Sequence, residues 1–154
     1  MYARILLSNF TDTFNHLFIT TMLTENNVTD LLASYLENQD YKIINKITSK
    51  DKGIDLVVET PKGIRQYIEV KGETSGNETS KRFNLPFTGN QIWTHVSVAI
   101  MKTLMLMNKP ENNVVEFGMA FPFNHEILLK SIKPSIEKLG IVVYLISREE
   151  VKIL

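Results

Sequence analysis

Residues 53–72 read GIDLVVETPKGIRQYIEVKG, two runs rich in β-forming residues separated by a proline–glycine turn. Pro61 fits the second position of a type I turn, and Gly63 fits the left-handed position that completes a three-residue hairpin loop with a bulge. In such a loop Thr60 lies opposite Ile64. The stretch therefore predicts an antiparallel hairpin whose register is set by its turn. Its two arms are Ile54–Val58 and Ile64–Val70.

This register brings charged residues together at the open end of the hairpin. It pairs Glu59 with Arg65, Val57 with Tyr67, Leu56 with Ile68 and Ile54 with Val70. The same spacing places Asp55 opposite Glu69, and Lys71 lies on the same face of its strand as Glu69. A shift of one residue would separate Asp55 from Glu69. The turn residues alone therefore predict that three ionisable groups converge.

Two carboxylates that face each other across a hairpin repel unless a cation lies between them. Mg²⁺ prefers oxygen ligands and keeps several waters, so Asp55, Glu69 and the main-chain carbonyl of Val70 form a suitable set. Lys71 would face the same site, where it could hold or help to deprotonate an attacking water, or neutralise charge on phosphorus. A metal there would act as a Lewis acid and generate hydroxide. We therefore expect a Mg²⁺ site, with Mn²⁺ as an alternative metal.

The rest of the chain alternates between helical and strand patterns. Thr24 can cap a helix that ends near Asn38, and Asn124 can cap one that runs to Leu139, with a kink or restart at Pro134 and Gly140 closing it. The long helix Asn90–Asn108 is apolar on more than one face, so we expect it to be largely buried. Further strands are expected at Tyr41–Ile47, Val114–Phe121, Ile141–Ile146 and, as an edge strand, Val151–Leu154. This order predicts an α/β sandwich with a mixed sheet and helices on both faces.

Other segments carry weaker patterns. Near the N-terminus, Ile5–Leu7 could form a strand and Phe14–Leu23 a strand or a helix. Within the long helix we expect core packing for Trp93, Met101, Met105 and Met107. The polar segment between Gly72 and Gly89 predicts a long irregular loop of the kind that is usually functional or mobile.

Composition limits the classes of protein that the chain can represent. Its 154 residues, 44% apolar and 22% charged, predict a single globular domain over residues 1–154. No cysteine is present, which excludes disulfides and thiolate metal sites, and a zinc site is disfavoured. No apolar run could span a membrane or form a signal peptide, so we expect a cytoplasmic protein. Lys and Arg balance Asp and Glu at 17 each, so either no polyanion binds or a local basic patch is offset elsewhere.

The set Asp55…Glu69-Val70-Lys71 resembles the core motif of the PD-(D/E)XK nuclease superfamily. The resemblance covers roughly residues 24–146, and one position departs from the motif, because Ile54 stands where many members have proline. It implies a restriction-endonuclease-like three-layer sandwich with a mixed sheet flanked by helices. It also implies that Asp55 and Glu69 bind the metal, that Lys71 is catalytic, and that the chain is a Mg²⁺-dependent endonuclease acting on DNA.

The resemblance suggests supporting roles for three helical residues. Glu25 would support the metal site, although an acid in the first turn of a helix also complements the helix dipole. Gln91 would face the site as a catalytic residue, but Thr88 and Gln91 also fit a capping box. His95, four residues on and roughly in line with Lys102, is a candidate for contacting nucleic acid or an ordinary hydrogen-bonded helix residue. His16 and His125 show no ligand pattern.

The long loop offers contacts to phosphates. Ser75, Lys81 and Arg82 are the side-chain types that bind nucleic-acid backbones, and the alternative is a solvated surface loop. The expected partners are DNA and, as a prior for a small domain, a second copy of the chain, with no membrane. One rival is an inactive nuclease-fold module for nucleic-acid binding or protein assembly. Another enzyme class is disfavoured, because the chain has no Gly-rich phosphate loop, no nucleophile elbow and no cysteine.

Overall fold

The computed structural model describes residues 22–48, 51–112 and 114–154. The strand expected at Ile5–Leu7 lies outside these ranges, as do residues 14–21 of the second N-terminal segment. Within them the chain is α/β, with three α-helices and one six-stranded sheet. The helices are α1 (Glu25–Glu37), α2 (Gly89–Met107) and α3 (Glu126–Lys138). The strands are β1 (Lys42–Lys46), β2 (Leu56–Glu59), β3 (Arg65–Val70), β4 (Glu116–Pro122), β5 (Ile141–Ile146) and β6 (Val151–Ile153).

The sheet is mixed, and its strands follow one another in chain order from β1 to β6. The β1–β2, β2–β3 and β5–β6 pairs are antiparallel, whereas β3–β4 and β4–β5 are parallel. The parallel pairs need long crossovers, which α2 and α3 provide. The carboxyl ends of β3, β4 and β5 therefore meet at one edge of the sheet.

The hairpin forms in the register that the turn predicts. Leu56 pairs with Ile68 and Glu59 with Arg65, and the N–H of Thr60 donates to the carbonyl of Ile64 at 2.8 Å. Gly63 has φ of 78°, the left-handed conformation that the loop requires. The ladder ends at Leu56, however, so the expected pairing of Ile54 with Val70 does not form and Asp55 precedes the strand.

The core lies in two layers, one on each face of the sheet. One layer joins α1 to the sheet through Val28, Leu32, Leu36, Leu56, Val58, Ile68, Val70, Ala120, Tyr144 and Ile146. The other joins α2 and α3 to the opposite face through Val96, Ala99, Leu129, Ile136, Phe117, Met119, Phe121, Ile141, Val143 and Leu145. Neighbours such as Met119 and Ala120 fall in different layers because side chains alternate along a strand. The expected α/β class, with a mixed sheet and helices on both faces, is confirmed.

Helix α2 is not largely buried, contrary to expectation. Its buried residues are only Val96, Ala99 and Thr103. The expected core positions of Trp93, Met101 and Met105 were wrong, since these side chains are 63%, 59% and 63% exposed. The helix contacts the sheet along one stripe, and an apolar composition on several faces does not say which stripe that is. Met107 does pack against the core.

Helix α3 also differs in detail from its pattern. It begins at Glu126, and Asn124 lies in the short 3₁₀ turn Phe123–His125 instead of capping the helix. The helix runs through Pro134 without interruption, and Gly140 follows it with φ of 69°. Among the helices in the described ranges, none is long and apolar enough to cross a membrane.

Candidate active site and metal centre

Three charged residues are buried together where β2 begins and β3 ends. Asp55, Glu69 and Lys71 each expose less than a tenth of their surface. The N–H of Lys71 donates to the carbonyl of Ala120 at 2.9 Å, which extends the parallel pairing with β4 one residue past β3 and fixes the position of Lys71. Charged groups are rarely buried unless they are paired or functional.

Two ammonium groups converge on one oxygen of Glu69. Nζ of Lys71 lies 2.5 Å from Oε1 of Glu69, and Nζ of Lys102, from α2, lies 2.6 Å from the same atom. Lys71 also donates to the main-chain carbonyl of Val70 at 2.9 Å and lies 3.8 Å from the carboxylate of Glu25. The Glu69 carboxylate is therefore surrounded by positive charge from two different elements.

Asp55 has no such partner of its own. Its Oδ2 accepts a hydrogen bond from the N–H of Val70 at 2.7 Å, which ties the start of β2 to the end of β3. Burial raises the pKa of Asp55 to about 6, and the nearby negative charge of Glu69 adds to the rise. The positive charge of Lys71 and the hydrogen bond from Val70 offset only part of this rise.

Glu25 reaches the site because α1 begins against the end of β3. A Cβ on Gly72 would lie 2.6 Å from the main-chain nitrogen of Glu25, so only glycine permits this approach. Thr24 caps α1 in a capping box with Asn27. Burial raises the pKa of the Glu25 carboxyl, and the charge of Lys71 partly offsets the rise. The sequence-derived placement of Glu25 near the other carboxylates agrees with this geometry.

Lys102 was not assigned a role from the sequence. Burial alone would lower its pKa, but the hydrogen bond and the charge of Glu69 raise the pKa above its ordinary value. Its seven-residue spacing from His95, two helical turns, was the signal that could have identified it.

Gln91 and His95 occupy different environments. Oε1 of Gln91 accepts from the N–H of Thr88 at 2.9 Å, which is the capping-box alternative and uses the side chain to begin α2. His95 hydrogen-bonds to the backbone of Gly72, and its ring lies edge-on to Phe87 with centroids 4.4 Å apart. Burial and the charge of Lys71 lower the pKa of His95. His95 is thus close enough to the charged cluster for Lys71 to affect its pKa, while its own contacts are to Gly72 and Phe87.

His125 was set aside in the sequence but is one of the most buried polar residues. It is fully buried, its ring stacks on that of His95 at 6.0 Å, and its Nε2 has no hydrogen-bond partner. Its Nδ1 lies 2.6 Å from Oδ1 of Asn124. Burial, reinforced by His95, lowers the pKa of His125 to about 4. The ring is therefore neutral at physiological pH.

The loop residues have local contacts. Oγ of Ser75 accepts from the N–H of Asn77, and the carbonyl of Arg82 accepts from Oγ1 of Thr74. Ser75 is half-buried, while Lys81 and Arg82 are exposed. These contacts organise the loop, and they do not join it to the carboxylates.

The donor set fits a hard divalent cation. In the described part of the chain, no three His, Cys, Asp or Glu side chains lie together as a metal-binding group. The candidate set instead combines the carboxylates of Asp55 and Glu69 with the carbonyl of Val70, all oxygen donors of the kind that Mg²⁺ takes alongside water. The two lysine ammonium groups already supply positive charge at Glu69. A metal ion at this site would compete with these ammonium groups for the carboxylate of Glu69.

Comparison of the chain with protein-family models, with curated proteins and with solved structures gives no match. Functional inference therefore depends on the geometry of the site.

Proposed function

We propose that this chain is a metal-dependent nuclease of the PD-(D/E)XK type, with a restriction-endonuclease-like fold, that hydrolyses phosphodiester bonds in DNA. One observation carries the proposal: Asp55, Glu69 and Lys71 are buried together at the end of β3, in the spacing of that motif. An ion pair made only for stability would need neither the second carboxylate nor its burial.

The residues divide the chemistry among them. Asp55, Glu69 and the carbonyl of Val70 would hold Mg²⁺ or Mn²⁺, which supplies Lewis acidity and lowers the pKa of a bound water. Lys71, held by Glu69, would position the attacking water and offset the negative charge that grows on the phosphoryl oxygens. Lys102 would add a second positive charge, and Glu25 would hydrogen-bond water beside Lys71.

The arrangement of elements supports the same proposal. A helix precedes the hairpin, the hairpin supplies both carboxylates, and two parallel strands with crossover helices follow. Helices cover both faces of the mixed sheet. This is the order and layering that the resemblance over residues 24–146 implies.

An inactive module that keeps the fold is the second candidate. Two features favour it: the chain has no net charge, and the side chain of Gln91 is used to cap α2. Such a module would bind nucleic acid or another protein without cutting. The buried carboxyl group of Asp55 argues against it, because burial and the charge of Glu69 raise its pKa, a cost that a bound metal ion would remove.

Cleavage of plasmid and linear DNA in Mg²⁺, in Mn²⁺ and in EDTA tests the proposal. Glu69→Gln and Lys71→Met should each slow cleavage by about a hundredfold or more, the cost of losing one electrostatic contact in a transition state. Glu137→Gln and Lys133→Met are matched controls, because they break an exposed ion pair on α3 and should cut like the parent. Circular dichroism confirms that each variant is folded.

The outcomes separate the two candidates. Cleavage that survives both site substitutions would show that the activity belongs elsewhere or to a contaminant. A folded parent protein that neither cuts DNA nor binds Mn²⁺ in calorimetry would support the inactive module.

A further inference from the structure

A cavity of about 360 Å³ opens directly beside Glu69. Its lining includes the apolar residues Ile54, Met105 and Leu106 together with Lys102 and Lys109. It therefore shares Glu69 and Lys102 with the candidate active site and extends that site toward the C-terminal end of α2. Its volume is at the small end of the range for ligand pockets.

The lining combines two kinds of surface. Met105 is 63% exposed although it is apolar, and methionine adapts its shape to flat ligands. The two lysines bring positive charge to the same space. An apolar surface next to two cations matches a nucleotide, whose base is flat and apolar on its faces and whose phosphates are negative.

We propose that this cavity is a subsite for an unpaired nucleobase next to the phosphodiester at Glu69, so that the substrate is a single strand or an unpaired end. This inference rests on the proposed nuclease function and specifies its substrate. A base inside a duplex is stacked and paired, so it can enter such a cavity only after it leaves the stack.

The charge of the chain points to the same substrate. Duplex binding depends on many phosphate contacts, and a chain with equal numbers of acidic and basic residues is poorly equipped for them. Single-strand binding combines fewer cations with apolar or aromatic surfaces that contact the bases. Lys102 and Lys109 beside Met105 provide that combination in one place.

Binding is measured by fluorescence anisotropy in EDTA, where metal-dependent cleavage cannot occur. The probes are a short labelled single-stranded DNA, the RNA of the same sequence, and the matching DNA duplex. We expect both single strands to bind more tightly than the duplex, and a preference between DNA and RNA would identify which one is the substrate.

Met105→Glu places a negative charge in the cavity and should weaken single-strand binding by about tenfold, the scale of one lost base contact. Met101→Glu is the matched control, since Met101 lies one turn earlier on α2, is similarly exposed and is outside the cavity. Lys109→Gln should lower the salt dependence of binding by about one unit of slope, whereas Lys62→Gln in the hairpin turn should not.

The subsite proposal is wrong if Met105→Glu and Met101→Glu weaken single-strand binding equally. It is also wrong if the duplex binds as tightly as the single strands. The nuclease proposal fails separately. If Met105→Glu loses single-strand binding but the parent never cleaves in Mg²⁺, the subsite stands without the activity. If the parent cuts duplex DNA and Met105→Glu cuts it equally well, the activity stands without the subsite.

Discussion

Nζ of Lys102 lies 2.6 Å from Oε1 of Glu69, so α2 contributes a cation to a carboxylate that belongs to β3. The side chain of Lys102 is 49% exposed, whereas that of Glu69 is buried. The cation is therefore free to leave the carboxylate, and the carboxylate cannot follow it. A metal ion that binds Glu69 competes with Lys102 for the same oxygen.

Lys102→Met should tighten Mn²⁺ binding by about fivefold, because it removes roughly 1 kcal/mol of competing interaction from Glu69. DNA cleavage should nevertheless slow, because the phosphate loses a cation. Isothermal calorimetry measures the first effect, and cleavage of single-stranded and plasmid DNA measures the second. Lys133→Met is the control: Lys133 forms an exposed ion pair with Glu137 within α3. Unchanged or weaker Mn²⁺ binding in Lys102→Met would contradict the competition.

Asp55→Asn should stabilise the protein in EDTA at pH 7 to 8. The pKa of Asp55 is raised in the folded state from 3.8 to about 6, so ionising the group costs stability as the pH rises through that interval. An amide avoids this cost and can still accept from the N–H of Val70. We expect a gain of about 1–3 kcal/mol above pH 6 and none below pH 4.

Urea unfolding at several pH values measures this gain. Asp51→Asn is a control that should change stability in the opposite direction. Hydrogen bonds from Thr48 lower the pKa of Asp51, so folding favours its charged form and the amide should destabilise the protein. Loss of activity together with a gain in stability marks a functional group. A destabilised Asp55→Asn protein would instead indicate a structural carboxylate.

His125→Leu should reduce the fall in unfolding free energy that the protein shows between pH 6.5 and pH 4. The pKa of His125 falls from 6.5 to about 4 on folding, so the unfolded chain takes up the proton first and stability is lost as the pH drops from 6.5 to 4. The loss amounts to about 3 kcal/mol at most. Leucine takes up no proton, so the difference in unfolding free energy between the two proteins at each pH isolates this contribution. A difference that does not vary with pH would mean that the buried ring titrates normally.

Gly72→Ala should destabilise the protein by about 1–3 kcal/mol, because its Cβ would collide with the backbone at the start of α1. The shift would also displace Glu25 from Lys71 and reduce cleavage. Gly89→Ala is the matched control, since nothing lies within 4 Å of its Cβ and alanine favours the first turn of α2. Thermal melting compares the two variants. Similar melting temperatures would show that α1 can move away from residue 72 without loss of stability.

The hairpin and its charged residues could be predicted because each step had a local physical cause. Pro61 and Gly63 fix a turn, the turn fixes the register, and the register brings Asp55 near Glu69. The position of α2 could not be predicted in this way. Its apolar residues surround the helix, so the pattern does not reveal that Trp93 faces away from the sheet.

The remaining differences involve contacts between distant segments. Lys102 reaches Glu69 only because α2 crosses behind β3, which no local pattern encodes. The burial of His125 depends on Phe121 and His95 around it. Gln91 fitted both a cap and a site role, and the cap is formed at the helix start, where the partner atoms are already adjacent.

Gly72 and Lys71 are adjacent in the chain but are constrained by different physical requirements. The glycine is required by the packing of α1 against the end of β3, and the lysine, under the proposed function, by the chemistry at Glu69. The constraint on one of these two residues can therefore be lost while the constraint on the other remains. In descendants of this sequence that lose the proposed activity, Lys71 should be substituted while Gly72 is retained. The residues at these two positions would then distinguish lineages that keep the activity from those that have lost it.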